Sequence, residues 1–177
     1  PTSIETVDDK VLMLAMEDFV WDSVAEFFPA GETPVRGINL VEFNDDAPDR
    51  LAERVAAFCR HLESDESVQR LGFTLAEGRP QIQRVYAMRK RAVGLLGNAK
   101  GEKRPIPFVE DTAVPPEHLA DFIGEFRASL DARGLDYGMF GHVDAGVLHV
   151  RPAIDMKDPE QERLIREVSD EVAELTK

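Results

Sequence analysis

The sequence predicts an α+β domain: an antiparallel sheet with helices packed on one face, ferredoxin-like in kind. Three observations lead there. Short apolar runs of strand length alternate with longer runs of helical period. The last two strand-like runs are split only by Asp144-Ala145-Gly146, a hairpin spacing. Pro105 and Pro107 punctuate a third extended run, which suits an edge strand and not the centre of a sheet. The length of 177 residues allows a single sizeable core.

Taken in order, Asp8 to Phe28 is helix-permissive but poorly periodic, and it ends at the break Pro29-Ala30-Gly31. Gly37 to Phe43 reads as a strand closed by Asn44-Asp45-Asp46. Pro48 suits the first turn of a helix, along which Leu51, Val55, Phe58 and Leu62 recur at helical spacing. Leu71, Phe73 and Leu75 alternate with smaller residues as a short strand. Pro80 opens a helix with Ile82, Val85, Tyr86, Val93 and Leu96 inward, and Gly97 to Arg104 is a loop. Ile106 to Asp111 is extended. Pro115-Pro116 starts a helix with the stripe Leu119, Phe122, Ile123, Phe126 and Leu130, stopped at Gly134. Strands at Leu135–Gly141 and Val147–Arg151 follow, and a helix from Pro159 carries Leu164, Ile165, Val168, Val172 and Leu175.

Composition excludes several classes. At 43% hydrophobic and 31% charged, the chain is neither disordered nor fibrous. No apolar run reaches the ~20 residues that span a bilayer, and the acidic PTSIETVDDK start is unlike a signal peptide. One cysteine, Cys59, excludes an internal disulfide and any thiolate cage, and it falls on the apolar side of its helix; an intracellular, cytoplasmic setting fits. A net charge of −13 argues against nucleic acid as a partner. Yet between Arg79 and Arg104 eight basic residues face one acid, +7, leaving −20 for the rest. That patch fits capture of a small carboxylate or phosphate; it equally fits a basic solvated helix face.

His142 and His149 flank the hairpin. With Asp144-Ala145 as a two-residue loop, His142 faces Val147, and His149, two residues on, shares its side of the sheet with Arg151. The imidazoles then become diagonal neighbours able to share one divalent ion such as zinc, provided a third ligand comes from elsewhere. A pair of metal-free histidines is the other reading. His61 and His118 sit at helix ends, and the acid pairs Asp45-Asp46 and Glu110-Asp111 suit turns. There is no dinucleotide fingerprint, P-loop, H-E-x-x-H or G-x-S-x-G.

The run Tyr137-Gly138-Met139-Phe140-Gly141-His142-Val143-Asp144-Ala145-Gly146-Val147-Leu148-His149-Val150-Arg151-Pro152 resembles the G-H-x-G-D-G-N-L-H signature of FAD-linked oxidases of the D-lactate, glycolate and D-2-hydroxyglutarate dehydrogenase family. Val85-Tyr86-Ala87-Met88-Arg89-Lys90 looks like the family's aromatic-x-x-Arg-Glu helix, and Asp111-Thr112-Ala113-Val114-Pro115 like its D-x-x-V-P strand end. The wording is closest to long members fused to an iron–sulfur domain.

The resemblance implies a C-terminal substrate-binding domain over 36–177, truncated at its C-terminus. Residues 1–35 would be a helical lead-in from an FAD-binding domain of the same polypeptide. It implies that His142 and His149 bind a divalent metal and that Arg89 holds the carboxylate of a small 2-hydroxy acid. The catalytic base and a third ligand would come from a Glu-His pair downstream of Lys177. FAD would be bound mainly outside this chain, an iron–sulfur cluster could belong to the full-length protein, and peripheral membrane association could follow.

Departures are informative. Arg151 stands where many relatives have asparagine, and Lys90 where they have glutamate. Val109 replaces a substrate-binding lysine for which Lys103 or Arg104 could substitute. Extra cations at Arg151 and Arg104 suit a dicarboxylate. A non-catalytic α+β module that binds anions or oligomerises is the competing reading.

Overall fold

A computed structural model describes residues 1–29, 31, 33–98 and 102–177. Ala30 of the expected break, and Lys100 of the expected basic loop, lie outside them. The strands are β1 (Ser3–Asp8), β2 (Gly37–Glu42), β3 (Arg104–Pro105), β4 (Val109–Ala113), β5 (Tyr137–His142) and β6 (Val147–Ile154). The helices are α1 (Asp9–Met16), α2 (Pro48–Ser64), α3 (Gly78–Leu95), α4 (Leu119–Ala132) and α5 (Pro159–Leu175). All pairings are antiparallel, in the order β2-β1-β5-β6-β3, with β4 also pairing with β6. The α+β class and the antiparallel sheet are therefore as expected.

The helices, expected on one face, occupy two. Alternation along β5 sends Tyr137 and Met139 one way and Phe140 the other. On the first side Phe122, Phe126 and Leu130 of α4 and Val168 and Val172 of α5 cover Tyr137, Met139, Leu148 and Val150. On the second side Val11, Leu12 and Ala15 of α1 and Met88 and Ala92 of α3 cover Val7 and Phe140. Two covered faces bury more apolar area per strand than one, at about 25 cal/mol per Å².

The segment 1–35, read as a helical lead-in, begins instead with β1, which lies between β2 and β5. Only Asp9–Met16 of the helix-permissive stretch is α-helix; short 3₁₀ turns follow at Phe19–Ser23 and Ala25–Phe27. Asp8 explains why α1 starts where it does. Its buried carboxylate accepts from Val11 N at 2.9 Å, from Met139 N at 3.0 Å and from Arg127 at 3.2 Å. That is an N-cap which also fastens β1 to β5. Burial raises the Asp8 carboxyl above its ordinary value, against the lowering pull of those donors.

Two expectations fail between residues 48 and 77. The α2 helix forms as read, but none of its residues is buried, Cys59 included, and it belongs to neither core cluster. The alternating Leu71–Leu75 run forms no strand and stays exposed. Both sheet faces already carry two helices, so α2 joins neither core and its Phe58 meets Phe43 instead, ring centres 5.4 Å apart; an extended run without a neighbour has no ladder to join. Among the described residues no helix is long and apolar enough to cross a membrane.

Candidate functional site

The hairpin register is the one read from sequence: His142 lies opposite Val147, and Phe140 opposite His149. The turn differs in length. Val143–Ala145 form a 3₁₀ turn closed by Gly146 at φ 68, where a two-residue loop was expected. The added residues are even in number, so facing is preserved. Gly146 is required twice over, by its left-handed backbone and because a Cβ there would sit 1.8 Å from the Val114 carbonyl oxygen.

Phe140, His142, His149 and Arg151 consequently share the α1–α3 side of the sheet. The two imidazoles stand edge to face with centroids 5.3 Å apart. Phe140 lies beneath this group. Its ring centre is 5.1 Å from that of His149, 5.4 Å from the Arg89 guanidinium carbon and 5.5 Å from that of Arg151. One aromatic ring therefore carries two guanidinium groups and an imidazole.

Carboxylates hold each of these guanidinium and imidazole groups. Glu5 of β1 lies directly across from His142. Its Oε1 is 2.7 Å from His142 Nδ1, and its Oε2 accepts from Arg89 Nη2 at 2.5 Å. The Arg89 Nε is buried and meets no hydrogen-bond partner among the described residues. One helical turn earlier, the Tyr86 hydroxyl donates to Glu42 at 2.6 Å; burial first, and then that carboxylate, push its pKa up to about 12.

A bulge supplies the other two acids. β4 pairs regularly at Val109–Val150 and Thr112–Leu148, so Glu110 and Asp111 together oppose the single residue His149. Glu110 accepts from Arg151 Nε, and Asp111 Oδ1 lies 3.0 Å from His149 Nδ1. Asp111 adopts φ 57, an uncommon conformation for a residue with a Cβ. This acid pair, read as turn chemistry, faces His149 and Arg151.

Of the sequence-predicted site residues, Arg89, His142, His149 and Arg151 are brought together. Arg104 is not: it pairs with Ile154, five residues along β6 from His149, and its Nη1 donates to the Lys103 carbonyl. Much of the basic patch is also accounted for. Arg84 pairs with Glu26 at 2.5 Å and Arg91 with Asp18 at 3.0 Å, besides Arg89 with Glu5.

A metal–imidazole bond of ~2.0–2.1 Å puts a ring centre roughly 3.2 Å from its ion, so a 5.3 Å separation lies within reach of one shared ion. Among the described residues no cluster of three or more His, Cys, Asp or Glu could hold a metal. The two imidazoles fit a divalent ion only as part of a larger ligand set. An iron–sulfur cluster does not fit: such clusters take several thiolates, and Cys59 is alone on α2.

Residues 1–177 match the family model described as FAD linked oxidases, C-terminal domain. The chain is 68% identical to a D-2-hydroxyglutarate dehydrogenase of Pseudomonas putida, over 100% of this chain and 18% of that protein. It is 56% identical to the proteins of the same description in Escherichia coli and Haemophilus influenzae, over 98% of this chain and 18% and 17% of theirs. The chain thus spans less than a fifth of the length of the curated relatives it matches.

Proposed function

The chain belongs to the family of FAD-linked oxidase C-terminal domains, and on that premise we propose that it is the substrate-binding part of an FAD-dependent oxidoreductase acting on a D-2-hydroxy acid, D-2-hydroxyglutarate above all. One observation carries the reading: two imidazoles and two guanidinium groups converge over Phe140 on one side of the sheet.

His142 and His149 are the residues that would hold a divalent ion such as zinc. When bound, such an ion would supply Lewis acidity at the substrate hydroxyl, and FAD held by another part of the polypeptide would supply the hydride acceptor. Arg89 orients the carboxylate next to C2 through its guanidinium, which lies over the Phe140 ring. Arg151, across the Phe140 ring, takes the distal carboxylate of a five-carbon dicarboxylate. Phe140 excludes water from one side of both grips. The base that removes the hydroxyl proton comes from a Glu-His pair elsewhere in the polypeptide, as do the FAD-binding domain and any iron–sulfur domain. The protein works in the cytoplasm, bound at most peripherally to a membrane, which cell fractionation tests.

The competing reading, a regulatory anion-binding module, leans on the basic patch, and the pairing of Arg84, Arg89 and Arg91 with acids leaves it less support. The test is steady-state turnover of the intact protein with D-2-hydroxyglutarate. His142→Ala and His149→Ala are expected to lower kcat/KM by about 100-fold or more, and chelation to do the same. Wild-type turnover in both variants would overturn the metal role.

A further inference from the structure

Both candidate metal-binding imidazoles present the same nitrogen, Nδ1, to a carboxylate: His142 to Glu5 at 2.7 Å and His149 to Asp111 at 3.0 Å. A carboxylate offers only lone pairs, so a ring nitrogen that close to one carries the hydrogen. In the neutral ring, the form that binds a metal ion, the lone pair is thereby assigned to Nε2, the nitrogen other than the one on the acid. Two rings of one tautomer, set nearly perpendicular 5.3 Å apart, are prepared to bind before any ion arrives. Resting on the reading above, we infer that Glu5 and Asp111 are positioning residues: they fix the tautomer and orientation of His142 and His149, and Glu5 ties Arg89 to the same carboxylate.

The two acids differ in strength, and the structure shows why. The Glu5 side chain is 13% exposed and has both oxygens engaged, one on a strand neighbour and one on α3. The side chain of Asp111 is 81% exposed and sits on the β4 bulge, where water competes for the same oxygen. In low dielectric a carboxylate interaction is stronger than in water, so Glu5 is the dominant of the two. A glutamine at position 5 cannot replace it. An amide has one acceptor oxygen and a donor nitrogen, and Glu5 faces two N–H donors.

The test is calorimetric titration of the metal-stripped intact protein with Zn²⁺, which reads affinity without turnover. Glu5→Gln is expected to weaken Zn²⁺ binding about 10–100-fold, and Asp111→Asn to weaken it by a smaller factor. If Glu5→Gln does not fold, nitrogen NMR of the imidazoles in the unsubstituted metal-free protein decides for Glu5: a hydrogen on His142 Nδ1 is expected, and one on Nε2 alone would overturn its role. A soluble variant at either position that binds Zn²⁺ as the wild type does would overturn the role of that carboxylate. Failure of the metal reading is distinguishable. There the unsubstituted protein itself would bind no Zn²⁺, or His142→Ala would bind it unchanged.

Discussion

The two sides of the sheet use the same strands for different ends. On the α4–α5 side the apolar surface runs unbroken from Val109 through Val150, Met139 and Leu148, and two helices seal it. On the α1–α3 side the apolar cluster stops at Phe140; the next positions outward are His142, His149 and Arg151, each held by an acid. Both sides bury apolar side chains completely, Phe126 and Leu148 on the first and Leu12 and Met88 on the second. The chemistry sits at the margin of the second cluster, where a ring that belongs to the core also forms the floor of the site.

Breaking the first side should cost most. Phe126, fully buried on α4, loses about 3–5 kcal/mol of folding stability on substitution by alanine, measured by denaturant unfolding, while the folded fraction keeps its Zn²⁺ affinity. Phe140→Ala sharpens the contrast. It costs about 3 kcal/mol and also lowers Zn²⁺ affinity and kcat/KM, because the floor under the imidazoles is gone. Should Phe140→Ala change stability alone, the two sides would not differ in the way described.

Arg151→Met isolates the margin from the core: KM for D-2-hydroxyglutarate rises about tenfold, equivalent to about 1.4 kcal/mol, while stability moves by under ~1 kcal/mol. The smallest effect belongs to α2, outside both clusters. The Arg50 guanidinium beside Asp45 holds its carboxyl at about 2, below the ordinary 3.8. The ionised form is therefore favoured in the folded chain. Its contribution is complete above pH 3.8 and is lost as pH falls through about 2. Asp45→Asn should flatten that part of an acid-unfolding curve and lower the neutral-pH midpoint slightly, since the lost contribution is fully present there.

What was legible in the sequence was local. The facing of His142 and His149 followed from period two across a short turn, and it survived an error in turn length because only the parity of the loop matters. The Arg89 helix was placed by Pro80 and its apolar spacing. Glu5 was not legible. The strand that carries it is short, half polar and not bounded by turn residues, and its partners lie 84 and 137 positions away in the chain. The Glu110-Asp111 pair misled for a different reason, since strict alternation sends neighbours to opposite faces and only the bulge suspends that rule. The α2 stripe had the right period, but period alone does not say whether a surface is free to receive it.

The placement of β1 has a consequence for how the molecule is made. Glu5 leaves the ribosome before His142, which it faces and which follows 137 residues later. At roughly 5–20 residues per second, that is an interval on the order of ten seconds. Until β5 is synthesised, one edge of β1 has no partner, and Asp8 waits as long for the amide of Met139. Assembly of the sheet's centre, and with it the alignment of the imidazoles, therefore waits for β5, even though the strand that organises it precedes the other described strands of the sheet.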